Sequence, residues 1–146
     1  MEKTFKQIIT SLSGFCSEHL QIQGFDWGNA SQLNTKDSQY PMVFLVPAVS
    51  TNDGHMYNMN FEMIVLDLLE EDLANKLDAM NDTLLIGNDV VANYWDNDED
   101  YGYVLDEEGI IVSPFIGSHD AFTIGWVFDI SLQIENRLNS CSTPKI

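Results

Sequence analysis

Apolar and polar residues alternate without a break from Phe122 to Ile134. Phe122, Ile124, Trp126, Phe128, Ile130, Leu132 and Ile134 are separated by Thr123, Gly125, Val127, Asp129, Ser131 and Gln133. A period of two sends successive side chains to opposite faces, so this segment predicts one long β-strand with a single apolar face. Tyr57, Met59, Phe61, Met63 and Val65 follow the same rule and predict a second, half-buried strand. Tyr40–Pro47 is a short apolar run with prolines near both ends; it is too short for a helix and predicts a strand. Between these two segments, Asn52-Asp53-Gly54 is a turn signal, so they are expected to form a hairpin with a loop longer than two residues. Weaker strands are expected within Ile22–Leu33, through Phe25 and Trp27, and over Gly109–Ile116, where Pro114 marks an edge or a bulge.

Two segments change to helical spacing. Phe5, Ile8, Ile9, Leu12, Phe15, Cys16 and Leu20 recur at intervals of three and four and predict a helix over Lys3–Leu20. Behind Asp72, a candidate N-cap, Leu73, Leu77, Met80, Leu84 and Val91 predict a second helix reaching about Trp95, with Gly87 at a kink or a close approach to the sheet. The resulting order is α-β-β-β-α-β-β. It predicts an α+β domain with two helices packed on one face of a mainly antiparallel sheet. Residues 1–137 are read as one domain and 138–146 as a polar tail.

Composition narrows the function. The 146 residues carry 23 Asp+Glu against six Lys+Arg, a formal charge of −17, which argues against a surface that works by neutralising phosphates. Between Glu62 and Glu108 there are fifteen acidic residues and one lysine, Lys76, a local balance of −14. Uninterrupted apolar stretches such as Met42–Val46 fall far short of the ~20 residues of a membrane helix, and the N-terminal segment has no secretory h-region. Cys16 and Cys141 are expected to be free thiols, a disulfide between them remaining open.

Candidate chemistry is sparse. Asp96, Asp98, Asp100 and Glu107 match four ligand positions of a calcium-binding loop, as carboxylates at alternate positions can surround a hard cation. Tyr101 stands where that loop needs glycine, Gly102 comes one place late, and a strand rather than a helix follows. A solvated acidic loop is therefore the preferred reading. His19, His55 and His119 are isolated, and no HExxH, CxxC or phosphate-binding GxxxxGK[ST] occurs. Ser118-His119-Asp120 holds the residue types of a hydrolase triad, but adjacent side chains diverge and cannot form the relay. Neither catalysis nor a cofactor is expected.

The long strand and the hairpin at Asn52-Asp53-Gly54-His55 are candidates for pairing with neighbouring copies, because extended strands can add edges to another sheet. Asn52, Asp53, Gly54, His55, Phe122 and Trp126 are thus the candidate interface residues. The element order resembles that of tail-terminator and tail-completion (neck) proteins of tailed bacteriophages, with similarity to neck ring proteins of the crAss-like group. The resemblance covers about residues 3–137. It rests on the amphipathic helix Thr4–Leu20, the strand Tyr40–Pro47, the helix behind Leu66–Asp72 and a closing strand ending near Arg137. It implies a non-catalytic virion subunit, assembled in the host cytoplasm into a ring of six or twelve copies. Portal, neck or tail proteins would be its neighbours, and DNA would pass through the lumen without specific binding. An acidic DNA mimic that occupies a nucleic-acid-binding protein is the alternative.

Overall fold

The computed structural model describes residues 5–33, 39–70, 74–96, 103–105, 110–117, 122–135 and 144, with side chains for all except 94–96, 103–105, 117 and 135. Among them are α1 (Phe5–Glu18), β1 (Gly24–Trp27), a 3-10 turn at Ala30–Gln32, β2 (Met42–Pro47), β3 (Thr51–Asn52) and β4 (Met56–Leu68). Then follow α2 (Lys76–Asp96), β5 (Tyr103–Leu105), β6 (Ile111–Gly117) and β7 (Thr123–Glu135). This is the expected α+β class and order, with the short strands β3 and β5 added.

The sheet has five rows. At its centre, β4 and β7 run antiparallel along their whole length, from Met56 opposite Glu135 to Leu68 opposite Thr123. Thirteen residues at roughly 3.3 Å each make this ladder about 43 Å long. β2 and β3 lie end to end along the other edge of β4. β5 and β6 lie end to end along the other edge of β7. β1 completes the sheet beside β2 and is the parallel exception. β5 corrects the reading of 96–108 as wholly a loop: Tyr103–Leu105 takes the place opposite Ile134–Leu132.

The hairpin loop is also shorter than expected. Pro47 pairs with Phe61 but Thr51 pairs with Asn58, so Ala48, Val49 and Ser50 face only Met59 and Asn60, which is a bulge. The Asn60 side chain fills it by donating to the Val49 carbonyl, and the Asn60 amide donates to Ser50 Oγ. Beyond the bulge the Asp53 amide donates to the Met56 carbonyl. The turn then closes around two residues, Gly54 and His55, with Gly54 at φ +95° where a side chain would be strained.

Both helices cover the same face. Ile8, Leu12 and Cys16 of α1 and Ile86 and Val90 of α2 share one core with Val43, Leu45, Phe61, Met63, Val65, Phe128, Ile130, Leu132 and Ile134. Phe5 extends it, edge-on to Trp27 and stacked on Phe61. The opposite face carries a smaller cluster, Met42, Phe44, Ile64 and Leu66, flanked by Leu33, Tyr40, Phe115 and Val127. β2 and the Met63–Leu66 part of β4 are thus buried on both sides, which explains the continuous apolar run of β2 and corrects the reading of β4 as half-buried throughout. The Thr123 hydroxyl on this face is buried with no hydrogen-bond partner among the described residues.

The helical stripes differ in detail from the expected ones. α1 ends at Glu18, and Leu20 lies beyond it, 94% exposed. On α2 the buried line runs through Ala79, Thr83, Ile86, Gly87 and Val90, while Leu77 and Leu85 face solvent. The Thr83 hydroxyl is satisfied by the Ala79 carbonyl at 2.7 Å. The proposed cap Asp72 and Leu73 lie outside the described residues. A contact between helices closes this face: His19 Nε2 meets Asp89 Oδ2 at 2.8 Å, while His19 Nδ1 accepts the Gln21 amide. An acceptor at Nδ1 places the proton of the neutral ring on Nε2, where it donates to the carboxylate.

Asp67 lies on the helix-bearing side of β4. Partial burial raises its pKa; the Leu68 amide donating to Oδ1 opposes this, and the nearby Asp82 charge adds to the rise. A carboxyl with a raised folded-state pKa disfavours the fold once pH rises through that pKa and ceases to do so below its unfolded pKa. Asp67→Asn keeps the acceptor for Leu68. It is expected to stabilise the protein near neutral pH by less than about 1 kcal/mol, because the site is only partly buried and solvent screens it. The gain should vanish at pH ~3, where both forms are neutral; urea midpoints at the two pH values are the measurement.

Candidate functional site

The candidate interface residues do not form one patch with a shared role. Asn52, Asp53, Gly54 and His55 form the tip of the β3–β4 turn, and Asp53 is used by the turn itself. Its Oδ1 accepts the His55 amide at 2.9 Å and the Met56 amide at 2.7 Å, which holds the carboxyl below its ordinary range. Asn52 Oδ1 accepts the Gly54 amide. Asn52, Asp53 and His55 remain exposed. The hairpin does not stand clear of the body, because β7 runs beside it to Glu135, opposite Met56.

Trp126 is committed to its own chain. Its ring packs against the main core, and its indole N–H donates to the Met80 carbonyl of α2 at 2.9 Å. Phe122 is different: it is 66% exposed, and its carbonyl accepts the Leu69 amide. The expectation that β7 offers a spare edge is corrected. β4 occupies one side of it, and β5 and β6 occupy most of the other.

Exposed apolar side chains also lie one row further out. Ile111, Val112 and Ile116 on β6 are 61%, 38% and 73% exposed, at the margin where Phe122 enters β7. Their row neighbours on β7 are Asp129, Phe128 and Ile124. These β6 residues were not singled out from the sequence. Pro114 was the available signal, since a proline inside a strand pattern places that strand at an edge.

The acidic character is expressed on α2. Asp78 and Asp89 are exposed and Asp82 half-exposed along it, while Lys76 is its one basic residue. Of the calcium candidates, Asp98, Asp100 and Glu107 lie outside the described residues, and Asp96 ends α2 with its side chain undescribed. His119 and Cys141 also lie outside. Among the described residues, no three His, Cys, Asp or Glu side chains converge on a site for a metal ion. No helix in them is long and apolar enough to cross a membrane.

A cleft of about 420 Å³ lies between the end of α1 and β1, lined by Ser13, Cys16, Ser17, Ile22, Gln23, Gly24 and Phe25. Cys16 is a free thiol, and burial pushes its pKa up to about 12. The thiolate is the reactive form, so Cys16 is inert rather than nucleophilic. Cys16 is expected to resist alkylation by iodoacetamide at pH 8 in the native protein and to react fully in urea. Rapid native labelling at Cys16, located by peptide mass mapping, would contradict its burial.

Compared with known proteins, the chain matches no family model, and no curated protein is significantly similar to it in sequence.

Proposed function

We propose that this chain is a non-enzymatic structural subunit of a phage neck or tail connector, assembled as a ring that joins the head to the tail and conducts DNA. The observation that carries the reading is the exposed apolar side chains at one sheet margin, Val112 and Ile116 of β6 on the helix-bearing face with Phe122 nearby, and Ile111 on the opposite face. Apolar surface concentrated in this way marks an interaction site. The element order, which resembles that of tail-completion proteins, supports the same reading. In this mechanism the helices and the two-sided core build a rigid subunit, and the β6 margin and turn tips contact neighbours. Acidic side chains facing a lumen would repel phosphate and keep DNA from adhering.

Electron microscopy of purified virions, with this chain identified by antibody, is the decisive experiment. A ring of six or twelve copies between head and tail is the expected result. Absence of the chain from the particle would overturn the proposal. The exposed aspartates of α2 favour a second reading, an acidic inhibitor that occupies a DNA-binding groove. Such a protein would act as a monomer or dimer and compete with DNA for its target, whereas the ring subunit would not.

A further inference from the structure

The hydrogen-bonding direction of every row follows from a few contacts. The Leu69 amide donates to the Phe122 carbonyl, so Phe122 and, by alternation, Ile124, Trp126 and Phe128 direct their backbone groups toward β4. Thr123, Gly125, Val127 and Asp129 therefore direct theirs toward β6, where they meet Gly117, Phe115, Ser113 and Ile111. Val112, Pro114 and Ile116 are left pointing outward. Proline has no N–H, so the outer margin of β6 lacks its middle donor.

The other margin of the sheet is altered in a different way. The Gly24 amide donates to the Pro41 carbonyl and the Gly28 amide to the Leu45 carbonyl, so the outward-directed residues of β1 are Phe25 and Trp27. The Trp27 amide is already taken by Asp26 Oδ1 at 2.8 Å. Asp26 is exposed, so it also sets a negative charge at this edge.

We infer that the β6 and β1 edges, the two longest outer edges of the sheet among the described residues, are closed to strand addition, by Pro114 on β6 and by the Asp26 carboxylate on β1, so that along these edges copies of this chain meet through side chains and not through a shared sheet. Edge strands with intact donors are templates for polymerisation, and proline and charge are the usual means of blunting them. Here each margin keeps its acceptors but loses one donor, which breaks the regular pattern that an incoming strand requires. The inference holds whether or not the chain forms the ring proposed above, because a ring built on side-chain contacts leaves both margins as they are.

Opening the margins one at a time tests it. Pro114→Val restores the central donor of β6. Two β6 margins can then pair antiparallel about a two-fold axis, so light scattering should show a doubling of mass relative to the wild type. Adding Asp26→Ala frees the Trp27 amide, and the double variant should grow without limit as concentration rises, with an infrared band of intermolecular sheet. A ring would instead keep a fixed mass. If both variants retain native circular dichroism and the wild-type mass at every concentration, the inference fails. A second pair needs no association. Val112→Pro should leave the melting temperature unchanged because that N–H faces outward, whereas Ser113→Pro should lower it sharply because that N–H faces β7. Equal or reversed effects would overturn the assignment of the margin.

Discussion

Gly125→Ala is expected to remove most of the protein's stability, a loss on the order of 4 kcal/mol from a total that is typically about 5–15 kcal/mol. A Cβ at position 125 would overlap the Val65 carbonyl and come within 3.1 Å of Leu66 Cα. Both obstacles are backbone atoms, so no rotamer change relieves them. β4 cannot retreat either, because β2 holds its far edge through six register pairs from Met42–Leu66 to Pro47–Phe61. Urea denaturation measures the loss, and Gly14→Ala is the control. Gly14 has nothing within 4 Å of the added methyl, so alanine in that helix should be worth about +1 kcal/mol. Similar midpoints for the two variants would mean that β7 does not approach β4 at Gly125 as described.

Phe128→Ala is expected to cost about 3–5 kcal/mol, the usual range for emptying a large aromatic site in a core. Phe128 is 1% exposed, and its ring lies over Gly87 of α2, where an added Cβ would overlap ring atoms. The two positions form one joint between helix and sheet. Gly87→Ala should therefore cost about 1–3 kcal/mol by overpacking. Combined with Phe128→Leu it should cost much less, because the smaller side chain makes room for the methyl. A double-mutant cycle reads this coupling, and strictly additive losses would show that the ring does not rest on Gly87.

The extent to which the fold was legible in the sequence differs by element for physical reasons. β7 was legible because its polar residues are all on the face away from the helices, leaving an unbroken period of two. α1 was legible because Ile8, Leu12 and Cys16 combine apolar character with regular spacing. In α2 the two signals part. The buried line uses Ala79, Thr83 and Gly87, whose small size lets the helix lie close to Trp126 and Phe128, while the larger Leu77 and Leu85 are exposed. A reading that follows large apolar residues is drawn off that line. β5 was hidden because Tyr103-Val104-Leu105 lies between acidic segments and is too short to establish a period. The two-residue turn was missed because the bulge at Ala48–Ser50 makes the gap between strands look longer than the loop that closes it.

Of the candidate interface residues, Phe122 and the turn tip are exposed, whereas Trp126 is half-buried and its indole N–H donates to the Met80 carbonyl of α2. Ile111, Val112 and Ile116 escaped notice because burial on an edge strand depends on what covers it, which local spacing does not encode.

The central ladder also carries a kinetic consequence. β2, β3 and β4 are neighbours in sequence and can zip from the Gly54–His55 turn, whereas β4 and β7 meet only after α2, β5 and β6 have been spanned, even at their nearest pair, Leu68 with Thr123. Closing so large a loop sacrifices chain entropy before any contact compensates for it, which slows the search for the native state. The first hairpin is thus the natural nucleus, and newly made chains must shield the apolar face of β4 until β7 has left the ribosome.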